Sequence, residues 1–235
     1  MALPPDTPNE AFLREVEENY RRDQIEGFAK SYGKWILIVV VVFLAAVGGW
    51  LYWQQHQAEQ AAEDSEELHR IFADVSQQNL KTVPKRLDAL EESSSDAVRA
   101  LALLTQAAVA LEGNDRKLAI AKYRELAEDK GLPDAFRNIA TIRRTATEFD
   151  AITPEQVIAR LEPLATPGSP WFGSAAEMVA LAHLKAGRDK QAGQIFAQIA
   201  ADPQVPQTLR SRAVQIAGTL GVDASGSLPA IQQQD

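Results

Sequence analysis

The sequence contains no cysteine. That excludes disulfides, thiolate nucleophiles and cysteine-based zinc sites together. A missing thiol suits any compartment and mildly favours an oxidising one. Histidine is scarce, with only His56, His69 and His183. No two of them stand at i and i+4, as a metalloprotease helix requires. The glycine patterns of a Walker loop and of a dinucleotide fold are missing, and so is G-x-S-x-G. Thr166-Pro167-Gly168-Ser169-Pro170 reads as a loop ahead of Trp171. Neighbouring carboxylates such as Glu91 and Glu92, or Glu128 and Asp129, read as solvated helix ends. Nothing supports an enzyme, and no cofactor or metal is expected. Positive charge is also in short supply. Lys and Arg number 24 against 32 Asp and Glu, a net charge of -8. Nucleic acid is therefore not an expected partner, because phosphate binding needs a basic face.

What the chain does have is one long apolar run, KWILIVVVVFLAAVGGWLYWQQ, from Lys34 to Gln55. Trp35 to Trp53 is 19 residues without a charge or a proline. At about 1.5 Å per residue such a helix covers roughly 28 Å, the hydrocarbon thickness of a bilayer. Trp35 marks one end, and Trp50, Tyr52 and Trp53 mark the other, as an aromatic belt would. A buried soluble helix rarely stays apolar for so long. A cleaved signal has a short leader and a shorter apolar region. Here residues 1–34 precede the run, and no small-x-small cleavage site follows it. The run therefore reads as an uncleaved transmembrane helix. Ala45 and Gly49 form a small-xxx-small pair, which allows close approach of two such helices.

Lys and Arg near the run set its orientation. Arg21, Arg22, Lys30 and Lys34 lie on the N-terminal side, against Arg70 alone at comparable distance beyond it. Glu59, Glu63, Asp64, Glu66 and Glu67 crowd the exit. The N-terminus is expected in the cytoplasm, and everything after the run is expected across the membrane.

The leader opens with MALPPDTPNE, three prolines in eight residues, and reads as disordered. Phe12, Val16, Tyr20, Ile25, Phe28 and Tyr32 then trace a drifting apolar stripe with charges between. That is either a short amphipathic helix on a membrane or partner, or a polar leader that only sets topology. After the run, Ala58, Ala61, Ser65, Leu68, Phe72 and Val75 follow a 3-4-3-4-3 spacing. This is a heptad seam, read mainly as the first helix of a soluble domain and otherwise as a dimeric coiled coil. Pro84 starts a short helix with Leu87 and Leu90. EESSSD, from Glu91 to Asp96, is a polar turn ending in an N-cap at Ser95 or Asp96.

A repeat follows. Leu104, Ala107, Ala108 and Leu111 form a helical stripe that stops at Gly113-Asn114-Asp115, and Ala119, Tyr123 and Leu126 form the next. The offset from Ala119 to Ala192 is 73 residues, and the arrangement recurs there. Val179, Ala180 and His183 lead to Gly187-Arg188-Asp189, and then Ala192, Ile195, Phe196 and Ile199 follow. Ala119 matches Ala192, Tyr123 matches Phe196 and Leu126 matches Ile199. The small residue lets two antiparallel helices approach, and the aromatic fills the gap to the next pair. This is similar to the A-x-x-x-F core of the tetratricopeptide repeat, and the offset is about two periods of roughly 34 residues plus an insertion. Residues 135–149 and 156–164 supply a degenerate pair between them, with Thr153 as N-cap and Pro154 at the first helical position. Residues 207–220 read as a closing helix.

The fold class expected is all-α: one N-terminal transmembrane helix followed by a short tetratricopeptide-like solenoid. The divisions expected are a cytoplasmic leader 1–34, the membrane helix 35–53, a helical spacer 54–95, the repeat domain 96–221 and a loose tail 222–235. First helices of the pairs would line a partner surface through Leu104, Ala108 and Leu111, then Thr141 and Thr145, then Glu177, Leu181 and Lys185.

The leader ending KSYGKW, the single membrane helix, the spacer and the stretch from Gly168 to Gly221 together resemble the ancillary SecYEG translocon subunit family. The likeness runs from about Asn9 to Gly221. It implies a bacterial inner-membrane protein with a periplasmic repeat domain beside the Sec translocon. The partners it implies are the translocon, periplasmic chaperones or exported clients, besides membrane lipid around the one helix. The function it implies is assistance in handing exported proteins to chaperones. The family offers no catalytic residues to carry over. The other reading of the residues is a self-associating envelope scaffold, with a second copy of the chain as its partner in a homodimer, not tied to the translocon.

Overall fold

The computed structural model describes the backbone of residues 8–227 and the side chains of residues 32–227. Among them are nine α-helices, one short 3-10 turn and no strand. The chain forms two units, Met1–Glu59 and Gln60–Asp235.

The first helix, α1, is Pro8–Ser76. In the first unit its apolar part is bare: Trp35, Val39, Phe43, Trp50 and Tyr52 are all more than half exposed. Leaving such a surface in water would cost about 25 cal/mol per Å2, so the run requires an apolar surrounding. Among the described residues it is the one helix long and apolar enough to cross a membrane, with a mean hydropathy of 2.4 and none of its apolar stretch buried. Arg21, Arg22 and Lys30, the stripe from Phe12 to Phe28 and the opening MALPPDT lie outside the residues whose side chains are described.

In the second unit the end of α1 packs on α2 (Val83–Leu90) and α3 (Asp96–Glu112). Leu68, Ile71, Val83, Leu87, Leu90, Val98 and Ala102 make that core, with Val75 against it. The expected seam was one residue off here. Ile71 is fully buried, whereas Phe72 is 40% exposed. Both fit a helical spacing from Leu68; the aliphatic pair on α2 selects Ile71. Arg86 on α2 ties the contact, reaching Glu67 and Asp74 at 2.5 Å each. Leu68 and Val75 of the expected seam are thus turned onto α2 and α3, while Ala58, Ser65 and Phe72 are exposed.

Three helix pairs, beginning at α3, and a closing helix make up the rest. α3 packs on α4 (Arg116–Glu128), and α4 packs on α5 (Asp134–Glu148). α6 (Pro154–Leu161) packs on α7 (Phe172–Lys185), then α8 (Asp189–Ala201) and α9 (Gln207–Thr219) continue the stack. The caps expected from sequence form. Ser95 accepts from the Val98 N–H, and Thr153 and Gln156 make a reciprocal capping box behind Pro154. The buried stripe of α3 is Ala100, Leu103, Ala107 and Ala110. Leu104 is only half-buried and Leu111 is 38% exposed, so the stripe read from sequence is rotated by about one residue.

The repeat core is intact in both copies. Ala119, Tyr123 and Leu126 are buried in one cluster with Ala107 and Ala140. Ala192, Phe196 and Ile199 are buried in another with Phe172, Ala176, Ala180 and Ala213. Alanine dominates where helices cross, which brings the helix axes close enough for the aromatic to span to the next helix. Between the two cores a third apolar cluster joins α5, α6 and α7: Val157, Leu161, Ala175, Val179 and Ala182 are buried, with Ile142 and Phe149 against them. A polar patch lies beside it. Glu148 takes Arg160 at 2.5 Å and Arg144 at 3.2 Å, and Thr145 lies beside them.

Residues 222–224, read from sequence as loose tail, pack on the last pair: Ala224 is buried and Val222 lies against the same cluster. Gly193 makes this possible. A Cβ there would lie 2.8 Å from Val222 Cγ2 and 3.2 Å from Leu220 Cβ. Gly193→Val is accordingly expected to lower stability by about 1–3 kcal/mol through overpacking. Thermal unfolding of the full chain in detergent checks this; an unchanged midpoint would show that the segment after α9 contributes nothing.

Candidate partner-binding surface

The residues expected to face a partner fall into four groups. Ala108, Leu111 and Leu181 are exposed, the two leucines by 38% and 39%. Leu104 and Thr141 are half-buried, and the Thr141 hydroxyl donates to the Arg137 carbonyl at 2.9 Å. Glu177 pairs with Arg212 of α9 at 2.5 Å, and Lys185 donates to the Phe149 carbonyl at 3.1 Å while standing 5.4 Å from its ring. Those two are engaged in holding neighbouring elements. Thr145 does not belong on any partner surface. It is fully buried, donates to the Thr141 carbonyl at 2.7 Å and faces Arg160. A small β-branched hydroxyl can satisfy itself on its own helix, so its polarity gave no sign of its burial.

Leu111 opens onto a groove of about 510 Å3 that spans the first two pairs, lined also by Asn114, Arg116, Tyr123, Arg143, Ala146 and Thr147. The groove lies between the last turns of α3 and α5, with α4 beneath. Arg116 donates both Nε and Nη2 to the Thr147 carbonyl, so its guanidinium caps the end of α5. Asp115 is spent at the start of α4, where it accepts from the Leu118 N–H at 2.9 Å. Burial pushes the Tyr123 phenol up, and the nearby Arg143 charge partly opposes it. Asn114 takes a positive φ of 59°, which turns the chain sharply into α4.

Sequence reasoning missed Arg143, Arg116 and Tyr123 as groove residues. Part of the signal was present. Arg137 has Asp134 three residues before it, and Arg144 has Glu148 four after it. Arg143 has no acid at either spacing, which on a helix leaves it without a neighbour.

A second groove of similar size runs along Pro167, Gly168, Gln198, Ala201, Asp202, Pro203 and Gln204. Its one carboxylate, Asp202, is used up by the N–H groups of Gly168 and Gln204. Among the described residues no group of three acidic or histidine side chains could hold a metal.

His183 lies on α7 with its Nδ1 buried and without a partner. Burial, helped by the Arg188 charge, lowers its pKa, against the pull of Glu155 and Glu162. The folded state therefore holds the neutral ring while the unfolded chain takes its proton first, at about pH 6.5. Stability is expected to fall as pH drops below that value and to be unaffected near pH 8. Melting curves at pH 8 and pH 5.5 check this, since His183→Gln should flatten the fall; an equal fall in the variant would assign it to other groups.

The geometry is that of stacked helix pairs, and sequence comparison agrees. The sequence model of the tetratricopeptide repeat-like domain family matches residues 27–217. The chain belongs to this family. Two curated relatives carry the name Ancillary SecYEG translocon subunit. The protein of Haemophilus influenzae is 28% identical over 134 residues, which is 57% of this chain and 65% of the relative. That of Aggregatibacter actinomycetemcomitans is 22% identical over the same shares. The match thus spans just under two thirds of these relatives' length. No solved structure matches. The matched stretch includes both buried aromatics of the repeat cores, Tyr123 and Phe196.

Proposed function

We propose that this protein is a membrane-anchored interaction module that serves as an accessory subunit of the Sec translocon. The observation that carries the reading is the union, in one chain, of an unburied apolar helix with a repeat-like domain whose relatives are named for that translocon. Helical repeats present extended surfaces to proteins and need no chemistry of their own. The reading assigns the chain no reaction. The N-terminus is cytoplasmic and the repeat domain periplasmic, on the strength of Lys34 and the other basic residues before the run. In that arrangement the domain is tethered where exported chains emerge, and its role is to assist their handover to periplasmic chaperones.

Affinity purification of the full chain in mild detergent, followed by mass spectrometry, tests the reading. Translocon subunits in the eluate, absent from a control with an unrelated membrane anchor, are the expected result. Their absence, with the protein intact and folded, would defeat the translocon assignment.

A further inference from the structure

The interaction-module reading leaves open what the repeats bind, and the groove between α3 and α5 narrows it. The decisive residue is Arg143. This is an acidic chain, with 32 carboxylate side chains against 24 cationic ones. Its other α5 to α9 arginines in contact with neighbouring helices are nearly all matched. Arg137, Arg144, Arg160, Arg188 and Arg212 each have a carboxylate within 3.3 Å. Arg143 has none among the described residues, although it is exposed and lines the groove with Leu111, Ala146 and Tyr123. No carboxylate is among the residues that line the groove.

An unmatched guanidinium on such a wall keeps five donors in a fixed fork that suits a carboxylate. Beside it Leu111 is 38% exposed and Ala146 is exposed, so apolar surface is available next to the charge. Tyr123 closes the bottom of the groove with its ring buried. We propose that this groove binds an extended peptide segment of a partner protein through one carboxylate, taken by Arg143, and a neighbouring aliphatic or aromatic side chain, seated on Leu111 and Ala146. The charge selects the segment and the apolar wall holds it. This deepens the interaction-module reading and rests on it.

The test uses the full chain in detergent micelles and fluorescein-labelled octapeptides of three kinds. One alternates leucine and glutamate, one leucine and glutamine, and one leucine and lysine. Fluorescence anisotropy reads binding at low and at moderate salt. The leucine–glutamate peptide is expected to bind about tenfold more tightly than its glutamine counterpart, the effect of one charge-assisted hydrogen-bonded pair. Arg143→Glu should abolish that preference, Arg143→Lys should retain part of it, and moderate salt should weaken it. Leu111→Ser should weaken the glutamate and glutamine peptides alike. Arg143 is exposed, so its variants are expected to fold, and their unchanged melting points confirm that the comparison is fair.

Equal binding of the glutamate and glutamine peptides overturns the proposal, as does tighter binding of the lysine peptide. Retention of the preference in Arg143→Glu, or no binding of the glutamate peptide at millimolar concentration, overturns it as well. Translocon subunits that still co-purify with Arg143→Glu would leave the wider reading standing while this one falls.

Discussion

Phe196→Ala is expected to lower the unfolding midpoint of the repeat-like domain by about 10 °C. Phe196 is fully buried among Phe172, Ala176, Ala180, Ile199 and Ala213. Removing it leaves a cavity rather than a collapsed core, because most of its neighbours are alanines on rigid helices with no longer side chain to move in. Truncations of this kind cost about 3–5 kcal/mol, and each kcal/mol shifts the midpoint by about 2–4 °C in a domain of this size. Domains have only about 5–15 kcal/mol to lose. Phe196→Leu keeps most of the volume and should cost less than about 1.5 kcal/mol. Circular dichroism melting of the full chain in detergent reads both. A shift below 2 °C for the alanine variant would mean that the aromatic plug is not what joins α8 to its neighbours.

Orientation in the membrane should reverse when the charges flanking the run are exchanged. The variant replaces Arg21, Arg22, Lys30 and Lys34 with glutamine, and Glu59, Glu63 and Glu66 with lysine. Alkaline phosphatase fused at the C-terminus is active only outside the cytoplasm. Its activity should fall about tenfold in the variant, because basic residues near the span set which side stays inside. The three glutamates are exposed, so the change does not touch the packed core of the second unit. Activity equal to the parent's would show that folding of the domain, not flanking charge, governs insertion.

Both expectations start from features legible in the sequence, and the reason is that each is local. The apolar run announces itself by length and by the absence of charge. The A-x-x-x-F pair at Ala119 and Tyr123, and again at Ala192 and Phe196, follows from helix geometry within one turn. Thr153, Pro154 and Gln156 specify a helix start among themselves. What was not legible depends on which face of a helix meets which neighbour. Ile71 and Phe72 are adjacent, and a rotation of 100° decides between them; only the position of α2 settles it in favour of Ile71. Leu104 and Leu111 share a helical stripe with Ala107 and read as partner surface, yet α4 meets α3 on the side of Leu103 and Ala107, which leaves Leu111 exposed and Leu104 half-buried. Thr145 read as surface by chemistry, yet it lies at the Glu148–Arg160 joint. Arg143 was half-visible, since missing acids at three and four residues can be counted, while the wall beside it comes from α3.

The most direct test of the central claim places a photo-crosslinking amino acid at single positions of the full chain in living cells. Leu111 and Leu181 represent the partner side of the repeats, and Lys190, exposed on the first turn of α8, serves as the comparison. The account predicts adducts from Leu111 and Leu181 that contain translocon subunits or exported chains, and none of these from Lys190. Adducts of equal yield from all three positions, or none from either leucine, would contradict it.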